Sequence, residues 1–93
     1  MAGPYYSADP PGLVRMVELD GLTALFHVRS GITHILAPPA PQILEALAGA
    51  PATAETILAR MRRAFEIEGG RGTAAALRAR LDELEAVGLV TRT

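Results

Sequence analysis

The chain has 93 residues, a formal net charge of −1 and 49% hydrophobic residues, which is enough for one domain with a core shared between all its elements. It contains no cysteine, which excludes disulfides, thiolate metal sites and a cysteine nucleophile. Its nine basic residues are all arginine and are balanced by ten acids, so the charge does not favour binding to DNA phosphates.

Residues 1–12, "MAGPYYSADPPG", are predicted to be a disordered or extended tail before one domain that spans residues 13–93. This segment lacks the basic stretch and apolar run of a signal peptide. No apolar stretch approaches the roughly 20 residues that span a bilayer. We therefore expect a cytoplasmic protein that does not contact a membrane.

Three strands are predicted next, in the run "VELDGLTALFHVRSGITHIL" of residues 17–36. Asp20-Gly21 is typical of a two-residue type I′ hairpin turn, which places Leu19 opposite Leu22. A three-residue turn, Arg29-Ser30-Gly31, would place Val28 opposite Ile32.

Alternation of side chains then assigns the strand residues to two faces. The predicted core face carries Leu13, Val17, Leu19, Leu22, Phe26, Val28, Ile32 and Leu36. The other face has a small apolar strip of Val14, Met16, Leu25 and Ile35. A partner or a second copy of the chain could cover this strip, or it could face solvent.

Three helices and a short last strand are predicted after the sheet. The helices are Pro38–Ala48, Thr53–Phe65 and Thr73–Val87, with Gly49 ending the first helix and the glycine-rich "EGGRG" of residues 68–72 connecting the other two. Gly88 is a suitable residue to follow the third helix, and "LVTR" could form a strand. The predicted fold class is therefore α+β, a three-stranded antiparallel sheet followed by three helices, winged-helix-like.

No catalytic constellation is found in this pattern. His27 and His34 fall on opposite faces of the predicted sheet and could not share a metal ion. Ser7, Ser30 and the threonines have no base at a recognisable spacing, and "EGGRG" lacks the ending of a phosphate-binding loop. We expect no catalytic residues, no metal and no cofactor, and hence no enzymatic activity.

The arginines of the helical half have two interpretations. Arg60, Arg62 and Arg63 near the end of the second helix complement its dipole. On the third helix, Arg80 borders a strip that could face a groove against the sheet, where it could bind a peptide carboxylate. Arg80 could equally pair with Asp82 or Glu83, which together with Glu85 are expected on a solvated face.

The runs "ELDGLTALFHVRSGITHILA", "ILEALAGAPATAETILARM" and "LRARLDELEAVGLV" resemble PqqD-family small proteins. The similarity covers roughly residues 13–91 and is closest to members associated with the HPr-rel-A system, in which a PqqD-like protein accompanies a relative of HPr kinase. This resemblance implies a peptide chaperone, the recognition element of ribosomal peptide modification systems. Such a domain binds a precursor's leader peptide as an added strand beside the third strand and against the third helix.

The resemblance also implies which residues and partners take part. The partners would be a leader peptide and a modifying enzyme or HPr kinase-like protein. The peptide-binding residues would be Thr33, His34, Ile35, Leu36, Ala76, Leu77, Arg80 and Leu84. Two alternatives stay open. One is a winged-helix DNA-binding protein, which the balanced charge of the third helix disfavours. The other is a dimerisation or adaptor module, in which the apolar strip of the sheet pairs with another subunit, for example in a homodimer.

Overall fold

The computed structural model of the chain describes residues 3–48, 50–65 and 73–93. Gly49 and the "EGGRG" connection lie outside the described residues. The strands are β1 (Tyr6–Ala8), β2 (Val14–Leu19), β3 (Leu22–His27), β4 (Ile32–Leu36) and β5 (Val90–Arg92), and the helices are α1 (Ala40–Leu47), α2 (Ala54–Phe65) and α3 (Thr73–Ala86). Among the described residues, no helix combines the length and apolar character needed to cross a bilayer.

The fold is α+β, as the sequence predicts. Strands β2, β3 and β4 form an antiparallel sheet in that order, and the three helices follow it along the chain. Strands β1 and β5 form a separate two-stranded antiparallel sheet. The three predicted strands, the three predicted helices and the short last strand are all present.

The first hairpin has the predicted turn and register. Asp20 and Gly21 both have positive φ, 48° and 83°, as a type I′ turn requires. Leu19 pairs with Leu22, and Val17 pairs with Ala24. The dipeptide at residues 20 and 21 therefore determines the register of β2 against β3.

The second hairpin differs from the prediction by one residue. His27, rather than Val28, pairs with Ile32, so the turn has four residues, Val28–Gly31. Two hydrogen bonds explain the difference. The N–H of Gly31, at φ 72°, donates to the carbonyl of His27 at 2.8 Å, and the N–H of Val28 donates to Leu13 at 3.0 Å, toward β2 and away from β4.

The predicted core face is wrong for β2 and β3, whereas Leu36 of β4 is buried as predicted. The side of the sheet that faces the helices carries Leu25, His27 and Leu36, all buried. The opposite side, called here the outer face, exposes large apolar side chains: Val17, Leu19, Leu22, Phe26 and Ile35.

Two further predictions change with this register. His34 pairs with Leu25 and therefore lies on the same face as His27, not on the opposite one. The predicted strip of Val14, Met16, Leu25 and Ile35 is not one exposed surface, because Leu25 is fully buried and Ile35 belongs to the outer face.

The helices pack the rest of the core where their apolar periodicity predicts. In α1 the buried residues include Ile43, Leu44 and Leu47. Among the described side chains, the buried apolar residues include Ala54, Ile57 and Met61 of α2 and Leu77, Leu81 and Leu84 of α3. The hydroxyl of Thr53 accepts the N–H of Thr56 at 3.3 Å, which confirms Thr53 as the N-cap of α2.

The end of α3 directs the chain into β5. Gly88, at φ 83°, donates its N–H to Glu85, and Leu89 donates to Leu84 at 3.0 Å. These two bonds form a Schellman motif, which satisfies carbonyls at the helix end and reverses the chain. The prediction for Gly88 is confirmed.

The segment predicted as an extended or disordered tail contributes strand β1. Tyr6 is buried, and it exchanges two backbone hydrogen bonds with Ala52, at 2.8 and 2.9 Å. Strand β1 also pairs with β5 along its length. The packed part of the chain therefore begins before residue 13.

The burial of the sheet's inner face can be tested with two identical substitutions. Leu25→Ala should reduce the free energy of unfolding by about 2–5 kcal/mol, because it leaves a cavity in the core. Leu19→Ala removes the same atoms from the outer face, where Leu19 is 54% exposed, and should cost much less. Urea denaturation of both variants is the measurement, and equal losses would contradict the assignment of the faces.

Candidate functional site

Strand β4 lies at an edge of the sheet. It pairs with β3 on one side, and within the described residues no strand pairs with its other side. The two-residue turn makes Leu19 and Leu22 a hydrogen-bonded pair. In an antiparallel sheet, successive residues of the central strand bond to opposite neighbours, so Leu22 bonds to β2 and the next residue of β3 bonds to β4. By the same alternation, Thr33 and Ile35 direct their backbone N–H and C=O groups outward.

A groove of about 330 Å³ runs between β4 and α3. Its floor and one wall come from β4 and the chain that follows it, and the other wall comes from α3. The lining residues are His34, Ile35, Leu36, Ala37, Pro38, Ala40, Arg80, Glu83, Leu84 and Val87. The outward backbone groups of β4 thus stand beside a cleft with an apolar wall.

A second cavity of about 250 Å³ adjoins the groove on the α2 side of α3. Ala76, Leu77 and Arg80 line it, together with residues of α2 and Pro39. Arg80 therefore lies between the two cavities and contributes to both.

The structure distributes the expected peptide-binding residues over these two cavities. Five of them line the β4–α3 groove: His34, Ile35, Leu36, Arg80 and Leu84. Ala76 and Leu77 line the second cavity, and Thr33 lies on the β4 edge outside both. Seven of the eight expected residues thus line one of these two adjoining cavities.

The groove contains a charged pair, of which only Arg80 was expected there. Arg80 Nη2 lies 2.8 Å from Glu83 Oε2, and both side chains are about half exposed. Glu83 was expected on a solvated face of α3, but it lines the groove. Val87, also missed, falls with Arg80 and Leu84 on one helical face at i, i+4 and i+7, so this spacing could have identified it.

His34 adds unused hydrogen-bonding capacity to the same groove. Its Nε2 atom is buried and has no hydrogen-bond partner among the described residues. A buried polar atom without a partner is costly, and a ligand that supplies one gains that energy on binding. The arrangement can therefore bind an extended chain through backbone, apolar and polar contacts together.

A separate polar cluster joins Asp9, His27 and Ser30. The Nε2–H of His27 donates to Asp9 Oδ2 at 2.6 Å, and His27 Nδ1 shares a 2.8 Å hydrogen bond with Ser30 Oγ. The sequence predicts no base at a recognisable spacing from Ser30, and this prediction is wrong because His27, three residues before it, bonds to its hydroxyl. The cause of this contact is structural, because the four-residue turn folds Ser30 back onto His27.

The position of this cluster indicates a structural role. Ser30 Oγ also accepts the N–H of Ile32 at 3.3 Å, and Arg29 Nε lies 3.6 Å from Asp9 Oδ1. His27 and Ser30 line neither the β4–α3 groove nor the second cavity, whereas Asp9 lines a third cavity, beneath β2. The cluster fastens the segment after β1 to the turn between β3 and β4.

A larger cavity, of about 410 Å³, opens on the other side of the domain beneath β2. Its walls come from the segment after β1, the inner face of β2 and β3, and α1. The lining residues are Ala8, Asp9, Pro11, Val14, Met16, Leu25, Leu44, Glu45, Ala48 and Leu89. It contains none of the expected peptide-binding residues.

Comparison of the chain with protein-family models, with curated proteins and with solved structures gives no match. Within the described residues, no group of three or more histidine, aspartate or glutamate side chains is arranged to hold a metal ion.

The fastening role of the polar cluster can be tested by removing its acid. Asp9→Ala leaves the buried His27 without its partner and should lower the free energy of unfolding by about 1–3 kcal/mol. Glu18→Ala, which removes an exposed acid of β2, is the control and should change stability little. Chemical denaturation compares them, and equal stability of the two variants would contradict the role.

Proposed function

We propose that this protein is a non-catalytic peptide chaperone that binds the leader segment of a precursor peptide as an added strand along β4. It would then present the precursor to a modifying enzyme of ribosomal peptide biosynthesis. The observation that carries this proposal is the unpaired edge of β4 beside the β4–α3 groove.

Strand addition suits this edge because main-chain hydrogen bonds supply affinity and a groove reads alternate side chains. Thr33 and Ile35 would exchange backbone hydrogen bonds with the peptide. Every second peptide side chain would then point toward α3, where Leu84 and Val87 form an apolar wall.

The charged groups of the groove suggest what the remaining peptide side chains carry. Arg80 can donate to a peptide carboxylate, but it must first leave Glu83 or share its guanidinium with both acids. His34 Nε2 can bond to a polar group of the peptide. An extended leader with apolar residues at alternate positions and an acid near Arg80 fits these contacts.

The resemblance to PqqD-family proteins of the HPr-rel-A type supports the same proposal from the sequence side. It supplies the winged-helix-like description of the fold, a cytoplasmic location, and a modifying enzyme or HPr kinase-like protein as the second partner. In this role the chain needs no cofactor, since it delivers a peptide and carries out no reaction.

The alternative of a winged-helix DNA-binding protein is disfavoured by how the arginines are used. Arg60 donates to the carbonyls of Ala46 and Ala50 at 2.8 and 3.0 Å. Arg78 pairs with Glu55 at 2.9 Å. Arginines that already bond to protein groups are poorly placed to neutralise phosphates. The adaptor alternative is separated by the peptide titration described next.

The added-strand mechanism is tested by a proline at the outward-facing position of β4. Ile35→Pro removes an N–H that points away from β3, so the chain should stay folded and lose peptide binding. Ile35→Ala keeps the N–H and is the matched control, which should lose much less.

Calorimetric titration with peptides from short open reading frames beside the gene measures this binding, and a DNA duplex at the same salt concentration is the negative control. Saturable binding of one peptide by the native chain and by Ile35→Ala, but not by Ile35→Pro, is the expected result. Full binding by a folded Ile35→Pro variant would rule out strand addition. Binding of the duplex alone would favour the DNA-binding alternative, and no binding at all would favour the adaptor.

The charged pair of the groove predicts two opposite effects on an acidic leader. Arg80→Ala should weaken its binding by about 1 kcal/mol, because a half-exposed charge-assisted hydrogen bond is lost. Glu83→Gln should strengthen it, because Arg80 no longer has a competing acid. The same titration measures both variants, and effects of the same sign would show that the peptide acid does not reach Arg80.

A further inference from the structure

The outer face of the sheet is an apolar surface that the proposed function does not use. Its central row across the three strands is Val17, Ala24 and Ile35, with Val17 57% exposed and Ile35 62% exposed. Phe26 lies on one side of this row, and Leu19 and Leu22 lie on the other. The helices bury the opposite side of the sheet, and within the described residues the large apolar side chains of this face stay exposed.

The size of this surface approaches what a weak dimer requires. Its large apolar side chains, each between about a third and two thirds exposed, present on the order of 400 Å². That is near the largest apolar patch of a typical monomer. Two such faces with their polar margins would bury roughly 1,000 Å² in total, the lower limit for a specific interface.

Opposite charges stand at the two ends of the face. Arg15 occupies one end, in the same row as Phe26 and Thr33, and Asp20 lies in the turn at the other end. Both are exposed, and neither is within ion-pair distance of a charged group among the described residues. About five residues of extended strand, roughly 17 Å, separate them.

We propose that two copies of this chain dimerise through the outer face, about a two-fold axis that runs along the Val17–Ala24–Ile35 row. A rotation of 180° about this axis, which is perpendicular to the strands, reverses the strand direction. Each strand therefore packs face to face and antiparallel against the same strand of the other copy. Arg15 of one copy then faces Leu19 of the other copy, and its guanidinium comes close to the carboxylate of Asp20 in the adjoining turn. Both ends of the interface gain an ion pair by the same operation.

The same axis also matches the apolar side chains. Phe26 of one copy faces Leu22 of the other, and the reverse contact forms by symmetry. Val17 meets its own copy near the axis, and the small Ala24 beside it leaves room for neighbouring side chains. An axis parallel to the strands would instead bring the two copies of Arg15 to the same end, where they repel.

A second copy on the outer face leaves the β4 edge open. The β4–α3 groove lies on the helical side of the sheet, and the two β4 edges stay at the border of the interface. Dimerisation and the proposed peptide binding therefore use different surfaces, and either property can fail without the other.

The first test is light scattering across a wide range of concentration with two matched variants. The native chain should form a concentration-dependent dimer. Val17→Glu should remain a monomer, since it places two carboxylates at the axis. Ile32→Glu, at 54% exposure on the opposite face of the same sheet, should dimerise like the native chain.

Three results would overturn the proposal: a native chain that stays monomeric at all concentrations, dimers that persist in Val17→Glu, and loss of dimers in both folded variants. The first would show that a second copy of the chain does not cover the face. The other two would place the interface elsewhere.

A second test does not depend on the stability of a charged variant. Since the chain contains no cysteine, Val17→Cys introduces one thiol near the axis. A short bismaleimide should crosslink Val17→Cys into a dimer and leave Ile32→Cys largely as monomer. Equal crosslinking of the two variants would overturn the proposed interface.

The orientation of the axis is tested by the charges at its ends. Arg15→Gln and Asp20→Asn should each raise the dimer dissociation constant about three- to tenfold, and asparagine keeps the positive φ of the turn. The double variant should be little weaker than either single one, because each already breaks both ion pairs. Fully multiplicative effects would overturn the antiparallel arrangement.

Discussion

The turn Val28–Gly31 sets the register of β4 against β3, and this register determines which side of β4 is buried. Side chains alternate along a strand, so a shift of one residue would exchange the two faces of β4 completely. In the observed register Leu36 points inward and joins the same buried cluster as Ile43 of α1. The helices after β4 can therefore pack under the sheet without leaving that strand's last apolar residue in solvent.

Several contacts hold this turn in place. Gly31 has the positive φ that the turn requires, and its N–H bonds to the carbonyl of His27. The side chain of Ser30 bonds to the ring of His27, which in turn bonds to Asp9. The segment that leaves β1 is thus tied to the turn that positions β4, and the edge strand is supported from a distant part of the chain.

This register also divides the work of one strand between two surfaces. The backbone of Ile35 points to the edge beside the groove, while its side chain belongs to the outer face. In the proposed function the backbone of Ile35 binds a peptide, and in the proposed dimer its side chain contributes to the interface. A substitution at Ile35 affects both surfaces, whereas Val17 reports on the outer face alone.

Local signals in the sequence predicted most elements of the fold. Asp20-Gly21 identified the first hairpin, Thr53 and Gly88 marked helix ends, and apolar spacing located the three helices. Each of these features depends on residues that are close together in the sequence, so it can be recognised from the sequence alone. The pairing of β1 with β5 joins opposite ends of the chain, and three residues of strand give too little pattern to reveal it.

The buried face of the sheet could not be chosen from the strand residues alone. The outer face is at least as apolar as the inner one, because it carries Val17, Leu19, Leu22 and Phe26. The number of apolar residues therefore favours the wrong side of the sheet. The decisive contact is with the helices, which the strand pattern does not contain. For the candidate site, the resemblance predicted that the β4 edge and α3 lie together, and they do. The position of Glu83 in the groove was not predicted, because it depends on how α3 packs beside β4.

The two proposed surfaces would reinforce each other. A peptide added beside β4 makes the sheet one strand wider, and its outward side chains extend the outer face next to Ile35. In the proposed dimer each β4 lies over its own copy, so two bound peptides would face one another across the axis. A peptide with apolar residues at those outward positions would add to the dimer interface. By linkage, the dimer would then bind that peptide more tightly than the monomer does. The sequence of the leader at its outward positions would thus decide how strongly peptide capture and dimerisation are coupled.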